Sequence, residues 1–230
     1  ALKVHYDANR DTQHRALRTL YTGPEYSEAM IKETLDDRGL SYTVEPNIEQ
    51  VAARLLSKNY VLGWFQGRME AGPRALGNRS ILMSPLDPAN KDLINKKVKY
   101  REMFRPFCPS VIDSMYGEYL RDAREEFFMV TSFEVNDGVR ERIPAVVHQD
   151  NSARPQCVTK ANNPRYYKLL QEFQAITGEG ALLNTSFNIK GEPIVCQPRE
   201  AIKCFFDTGL DALVLGNHLL TKSHVKLADA

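Results

Sequence analysis

Between Trp64 and Ser80 the chain reads Trp64-Phe65-Gln66-Gly67-Arg68-Met69-Glu70-Ala71-Gly72-Pro73-Arg74-Ala75-Leu76-Gly77-Asn78-Arg79-Ser80. Three glycines and a proline punctuate it, so it cannot be one regular helix or strand, yet it carries three arginines, a glutamate and an asparagine. Two readings fit. In one, glycines shape the backbone around an anion and the guanidiniums surround it; in the other, two strands flank a turn whose arginines are solvated.

The flanking sequence alternates strand and helix signals. Residues 1–46 read as a polar prelude broken at Gly23-Pro24, with a helix capped by Ser27 and stopped by Gly39. From Asn47, a helix N-cap, Ile48, Val51, Ala52, Leu55 and Leu56 recur at helical spacing, and the helix ends near Lys58. Residues 60–65 form a buried strand that feeds straight into the Gly/Arg segment, and 80–83 another. Asp87-Pro88 opens a helix towards Lys97, after which Pro106 and Pro109 impose an extended course. Residues 127–133 read as a strand, Asn136-Asp137-Gly138 as a turn, 163–178 as a helix from Asn163 to Gly178, 181–188 as a strand, 198–208 as a helix and 211–216 as a closing strand. Strand runs with no helix between them make this an α/β protein with a mixed sheet, not a strict βαβ repeat.

At 230 residues the chain can bury one core, or one core and a small appendage. A net charge of +1 provides no global field that would draw in nucleic acid or an anionic membrane, so any anion site must be local. No apolar run approaches the roughly 20 residues that span a bilayer. Cys108, Cys157, Cys196 and Cys204 are scattered without C-x-x-C spacing, which suits reduced thiols in the cytoplasm and speaks against a zinc or disulfide framework. The five histidines His5, His14, His148, His218 and His224 show no paired metal-ligand spacing, so no resident metal is expected.

Two short patterns carry candidate chemistry. In an extended backbone Lys99 and Arg101 share a face, with Arg105 just before a proline; such cations grip a phosphate or carboxylate, or form a solvated basic rim. Ser186-Phe187-Asn188 repeats the geometry with neutral groups, able to hydrogen-bond the polar edge of a ligand or to build a turn.

Lys-x-Arg followed by Ser-x-Asn resembles the binding signature of the YrdC-like fold. The longer runs 67–70, 72–82, 104–107, 152–156 and 184–195 resemble the C-terminal domain of the NodU/CmcH-type O-carbamoyltransferases, over roughly residues 49–220. The resemblance implies a twisted mixed β-sheet with flanking helices around a concave nucleotide-binding pocket. It also implies that this domain forms carbamoyl-adenylate from ATP and carbamoyl phosphate, with magnesium on the phosphates. A separate iron-containing N-terminal domain then passes the carbamoyl group to an acceptor hydroxyl. Residues 1–46 would be the linker and remnant of that domain, and 47–230 the adenylate-forming one.

Carried over by motif, Arg74, Lys99, Arg105, Arg154 and Ser186 line the nucleotide pocket, with Arg101 and Asn188 as supporting members. Lys99, Arg101 and Arg105 would hold phosphates and Arg74 and Arg154 would clamp the carbamoyl-phosphate or pyrophosphate end. Ser186 and Asn188 would fix the adenylate, and Lys99, Arg105 and Arg74 would be the catalytic members. Ala71 stands where the family has a bulky aromatic, and Asn151 where it tends to have glycine. Glu70, Asn78 and His148 read as structural: a salt bridge to an arginine, a turn hydrogen bond and a satisfied imidazole. The alternative function is a non-catalytic nucleotide- or RNA-binding module, against which the near-zero net charge speaks in the case of RNA.

Overall fold

The computed structural model describes residues 2–9, 17–102 and 104–226. In chain order come α1 (Leu2–Ala8), α2 (Glu28–Asp36), β1 (Thr43–Val44), α3 (Ile48–Ser57), β2 (Leu62–Phe65), β3 (Arg79–Met83) and α4 (Asn90–Ile94). A π-helical turn over Asn95–Lys99 follows, then β4 (Cys108–Ile112), α5 (Asp113–Tyr119), β5 (Phe133–Glu134) and α6 (Asp137–Arg140). After a 3-10 turn at Pro144–Val146 come β6 (Ser152–Ala153), β7 (Gln156–Val158), α7 (Pro164–Thr177), β8 (Ala181–Ser186), α8 (Pro198–Asp207), β9 (Ala212–Leu215) and β10 (His218–Thr221).

Eight strands form one mixed sheet in the order β1-β10-β9-β2-β3-β8-β4-β7, with β5 and β6 paired apart from it. β2 runs parallel to β9 and β4 parallel to β7; the other neighbours are antiparallel. All four residues of β2 are buried, as befits an apolar run at the middle of a covered sheet. Helices α3 and α7 pack side by side, α3 also reaching β2 and α7 reaching β4 and β8, while α8 lies against β2 and β9. The helix boundaries have local causes. Asn163 Oδ1 accepts the Tyr166 amide at 3.0 Å to open α7, and left-handed Gly178 (φ 82°) ends it. Among the described residues no helix is long and apolar enough to cross a membrane.

The packed body begins well before residue 47: α2 buries Ile31 and Leu35 in the common core and β1 extends the sheet through β10. Residues 1, 10–16, 103 and 227–230 of the two ranges drawn from the sequence lie outside the described residues.

Three expected elements differ. Asn136-Asp137-Gly138 is not a free-standing turn, since Asn136 occupies the N-cap position and Asp137–Arg140 forms the short helix α6. Of residues 127–133 only Phe133 is in a strand, β5, and 127–129 form bends, because Met129 adopts φ +54° and turns its side chain into a small cluster with Leu76 and Cys108. The helix expected from Asp87-Pro88 starts later, at Asn90. Asp87 Oδ1 instead accepts the Ala89 amide at 2.9 Å in a preceding turn, and the helix passes into the π turn before Tyr100.

Candidate functional site

β3, β4 and β8 lie side by side, with Ser80 opposite Ser186 and Cys108 opposite Asn184. The segments that leave or enter these strands surround a cavity of about 290 Å³, lined by Arg74, Lys99, Arg101, Arg105, Arg154, Ser186 and Asn188. All the side chains expected to form a pocket are thus brought to one place from separate stretches of sequence. Among the described residues no carboxylate lines the cavity, so its cations are not neutralised from within.

The expected route by which Lys99 and Arg101 meet is not the one the chain takes. They do not alternate along an extended strand: Lys99 is the last residue of the π turn, and Tyr100 is left-handed (φ 45°, ψ 41°). A π turn carries one residue more than an α turn, and such bulges recur where a helix end must aim a side chain. Here it sends Lys99 into the protein, where its ammonium donates to Asn188 Oδ1 at 2.8 Å, to the Asn188 carbonyl at 3.0 Å and to the Ser186 carbonyl at 2.5 Å. Burial, aided by the Arg101 charge, pulls its pKa from 10.5 down to about 7. Ser186 Oγ donates to Asn188 Oδ1 at 2.7 Å while Phe187 is buried on the other side, so the Ser/Asn pair shares a face as its spacing implies.

Arg101 is held over the Phe107 ring, 4.0 Å from its centroid, with Nε donating to Asn95 Oδ1 at 3.1 Å. Burial and the neighbouring Arg105 lower its pKa. Arg105 is exposed and lies 3.6 Å from Glu102. Arg154 Nη2 donates to Cys108 Sγ at 3.0 Å, and among the described residues its buried Nε has no partner. Arg74 is exposed and, among the described residues, its guanidinium has no hydrogen bond or ion pair; burial and then Arg154 lower its pKa.

Of the three arginines in the Gly/Arg segment only Arg74 lines the cavity. Arg79 is fully buried, stacked 3.6 Å from the Phe65 centroid, and donates to the carbonyls of Gln66, Gly67, Asn78 and Pro24. Burial lowers its pKa to about 10. Arg68 donates to the Thr22 carbonyl at 3.0 Å. Among the described residues Glu70 makes no salt bridge with an arginine, contrary to expectation. Its Oε1 accepts the backbone amides of Leu76, Asn78 and Arg79 at 2.6, 3.2 and 3.1 Å, closing the loop between β2 and β3 around one carboxylate oxygen. Gly77 (φ +102°) completes that loop where a Cβ would fall 2.2 Å from Tyr166.

Asn78 bridges within the loop, donating to the Arg68 carbonyl at 2.7 Å. His148 lies off the cavity, its Nδ1 3.1 Å from Ser152 Oγ, with burial lowering its pKa. Asn151 adopts φ +63°, the left-handed backbone that an asparagine in place of glycine tolerates. Ala71 lines an adjoining apolar cavity of about 510 Å³ with Leu20, Phe128 and Val130, which also reaches Arg74 and Arg154.

Among the lining residues that sequence reasoning passed over are Cys108, Asn184, Thr185 and Lys190. Only Lys190, a cation two positions beyond Asn188 and before a glycine, carried a signal that could have marked it. Among the described residues no group of His, Cys, Asp and Glu could hold a metal ion, and His14 lies outside them.

The family described as Carbamoyltransferase C-terminus matches residues 53–222. The nodulation protein NolNO of Sinorhizobium fredii is 40% identical over 96% of this chain and 34% of its own length. The 3'-hydroxymethylcephem-O-carbamoyltransferase of Amycolatopsis lactamdurans is 32% identical over 86% of this chain and 37% of its own length. The chain therefore spans little more than a third of these relatives. Full-length HypF, in a phosphate- and nucleotide-bound form, superimposes with a TM-score of 0.53 at 15% identity, covering 74% of this chain and 25% of HypF. The fold is YrdC-like, and the chain belongs to the carbamoyltransferase C-terminal family.

Proposed function

We propose that the cavity binds magnesium-ATP and carbamoyl phosphate and joins them as carbamoyl-adenylate, the activating half of an O-carbamoyltransferase reaction. The observation that carries this reading is the convergence of Arg74, Lys99, Arg101, Arg105 and Arg154 on one cavity with no lining carboxylate among the described residues. Two polyanions repel each other, and only preset cations can offset that repulsion at the point of reaction.

Water takes the phosphoryl group of carbamoyl phosphate, releasing inorganic phosphate and carbamate. A carbamate oxygen then bonds to the α-phosphorus of ATP as the bond from that phosphorus to the pyrophosphate oxygen breaks. Lys99, Arg101 and Arg105 hold phosphates and Arg74 and Arg154 take the carbamoyl-phosphate or pyrophosphate end, where negative charge grows as pyrophosphate leaves. Ser186 and Asn188 fix the adenylate. Magnesium arrives with the phosphates as part of the substrate. The adenylate then passes to a separate, iron-containing N-terminal domain, where the acceptor hydroxyl loses its proton, bonds to the carbamoyl carbon and displaces AMP.

The test is carbamoyl-phosphate-dependent release of pyrophosphate from magnesium-ATP, with a parallel calorimetric titration of a non-hydrolysable ATP analogue. Release that disappears in Lys99→Ala supports the reading. Binding without release assigns turnover to the longer protein, and neither signal overturns it. An affinity for RNA that falls steeply with salt would favour a nucleic-acid module instead.

A further inference from the structure

Residues 20–25 lie ahead of the family match, which begins at residue 53, yet they run along the outside of the Gly/Arg segment as an extra antiparallel partner. Tyr21 forms a β-bridge with Glu70. The Ala71 amide donates to the Leu20 carbonyl at 2.7 Å, the Gly23 amide to Met69 at 2.9 Å and the Met69 amide to Pro24 at 2.9 Å. Side chains reinforce the ladder, since Arg68 and Arg79 donate to the Thr22 and Pro24 carbonyls at 3.0 and 3.3 Å. From this strap the Tyr21 hydroxyl reaches under the loop and donates to the Leu76 carbonyl at 2.7 Å, while Asn163 Nδ2 donates to the Tyr21 hydroxyl at 3.2 Å. Gln156 Nε2 donates to the same Leu76 carbonyl at 2.8 Å.

Only Gly72, Pro73, Arg74 and Ala75 separate the two clamped positions, Ala71 and Leu76. Arg74 itself has no hydrogen-bond or ion-pair partner for its guanidinium among the described residues, so the anchor that places it at the cavity is its backbone. We infer that Tyr21 is a positioning residue for Arg74: with the Leu20 carbonyl it fixes both ends of the loop that presents this arginine to an anion. The inference rests on the proposed reading insofar as Arg74 binds the ligand. Residues 20–25 are then part of the anion site and not a passive connection, and any displacement of the strap loosens the arginine.

Tyr21→Phe in the full chain removes only the hydroxyl. Two measurements test it: hydrogen exchange of amides 70–79 without ligand, and calorimetric titration with inorganic pyrophosphate. The expected result is exchange at least tenfold faster in 70–79 and unchanged in β2, β9 and α8. Pyrophosphate affinity should fall about tenfold in the wild-type background, as one net hydrogen bond implies, and less than twofold in an Arg74→Ala background. Unchanged exchange in 70–79 would overturn the strap. Equal losses of affinity in both backgrounds would overturn action through Arg74. If the wild-type chain fails to bind pyrophosphate, the functional reading falls, and exchange alone decides whether Tyr21 holds the loop.

Discussion

Lys99 and Asn188, one from each signature, are hydrogen-bonded to each other: the ammonium lies 2.8 Å from Asn188 Oδ1 and 3.0 Å from the Asn188 carbonyl. The cation that would meet a phosphate is thus seated by the segment that would meet the nucleotide. A ligand arriving there finds a charge already oriented, at the cost of desolvating an ammonium.

Lys99→Ala should weaken binding of a non-hydrolysable ATP analogue by about 10- to 100-fold, the range of a lost charged hydrogen bond. Removing a buried cation relieves a desolvation cost, but it also leaves the Ser186 and Asn188 acceptors without this donor, so the two effects offset and the chain should stay folded with only a small change in melting temperature. Calorimetry and a melting curve on the same sample check both; unchanged affinity would count against a role at the phosphates.

Proton linkage gives a second prediction. The folded pKa of Lys99, about 7, lies below its ordinary 10.5, so between those values the folded empty chain holds fewer protons on this group than the unfolded chain. The group's contribution to stability therefore rises with pH across that window. A polyanion favours the charged ammonium, so binding at pH 8 should take up protons and affinity should fall as pH climbs past 7. Titrations in two buffers of different ionisation enthalpy measure the uptake, and Lys99→Met should abolish it.

The arginines of the Gly/Arg segment should separate by phenotype. Arg79→Ala takes the guanidinium donor from the Gln66 and Gly67 carbonyls and leaves a space beside Phe65, and should cost about 3–5 kcal/mol in urea denaturation. Arg74→Ala should change stability by less than about 0.5 kcal/mol while pyrophosphate affinity drops about tenfold or more.

Gly77→Ala should be among the most damaging small substitutions. It combines a left-handed backbone with a Cβ 2.2 Å from the buried Tyr166 ring, and a loss of about 2–4 kcal/mol is expected from denaturant midpoints. A loss below about 1 kcal/mol would mean that the ring yields easily.

What the sequence made legible was what repeats local rules. The apolar run of β2, the Asn163 and Gly178 ends of α7, and the Ser-x-Asn spacing are each decided by neighbours a few positions away. What it hid was decided at long range. Nothing near Arg79 says that its guanidinium is spent on backbone carbonyls, since Pro24 is one of its acceptors. Glu70 invites an arginine and instead takes three amides of its own loop. The aromatic run 127–133 has strand propensity, but burial of Met129 with Leu76 and Cys108 overrides it. Lys99 reached the pocket by a π turn for which no residue pattern in 95–99 gives a sign.

The sheet is finished at its two borders by very short strands, β1 of two residues and β7 of three. Brevity at a border leaves few free backbone donors and acceptors for a foreign strand to pair with. A protein cut at residue 47, where the sequence alone places a boundary, would lose β1 and bare the open side of β10, whose Leu219 and Leu220 are buried in the intact chain. Such a truncated protein would be prone to self-association at that border, and the residues that read as a linker act as a guard against it.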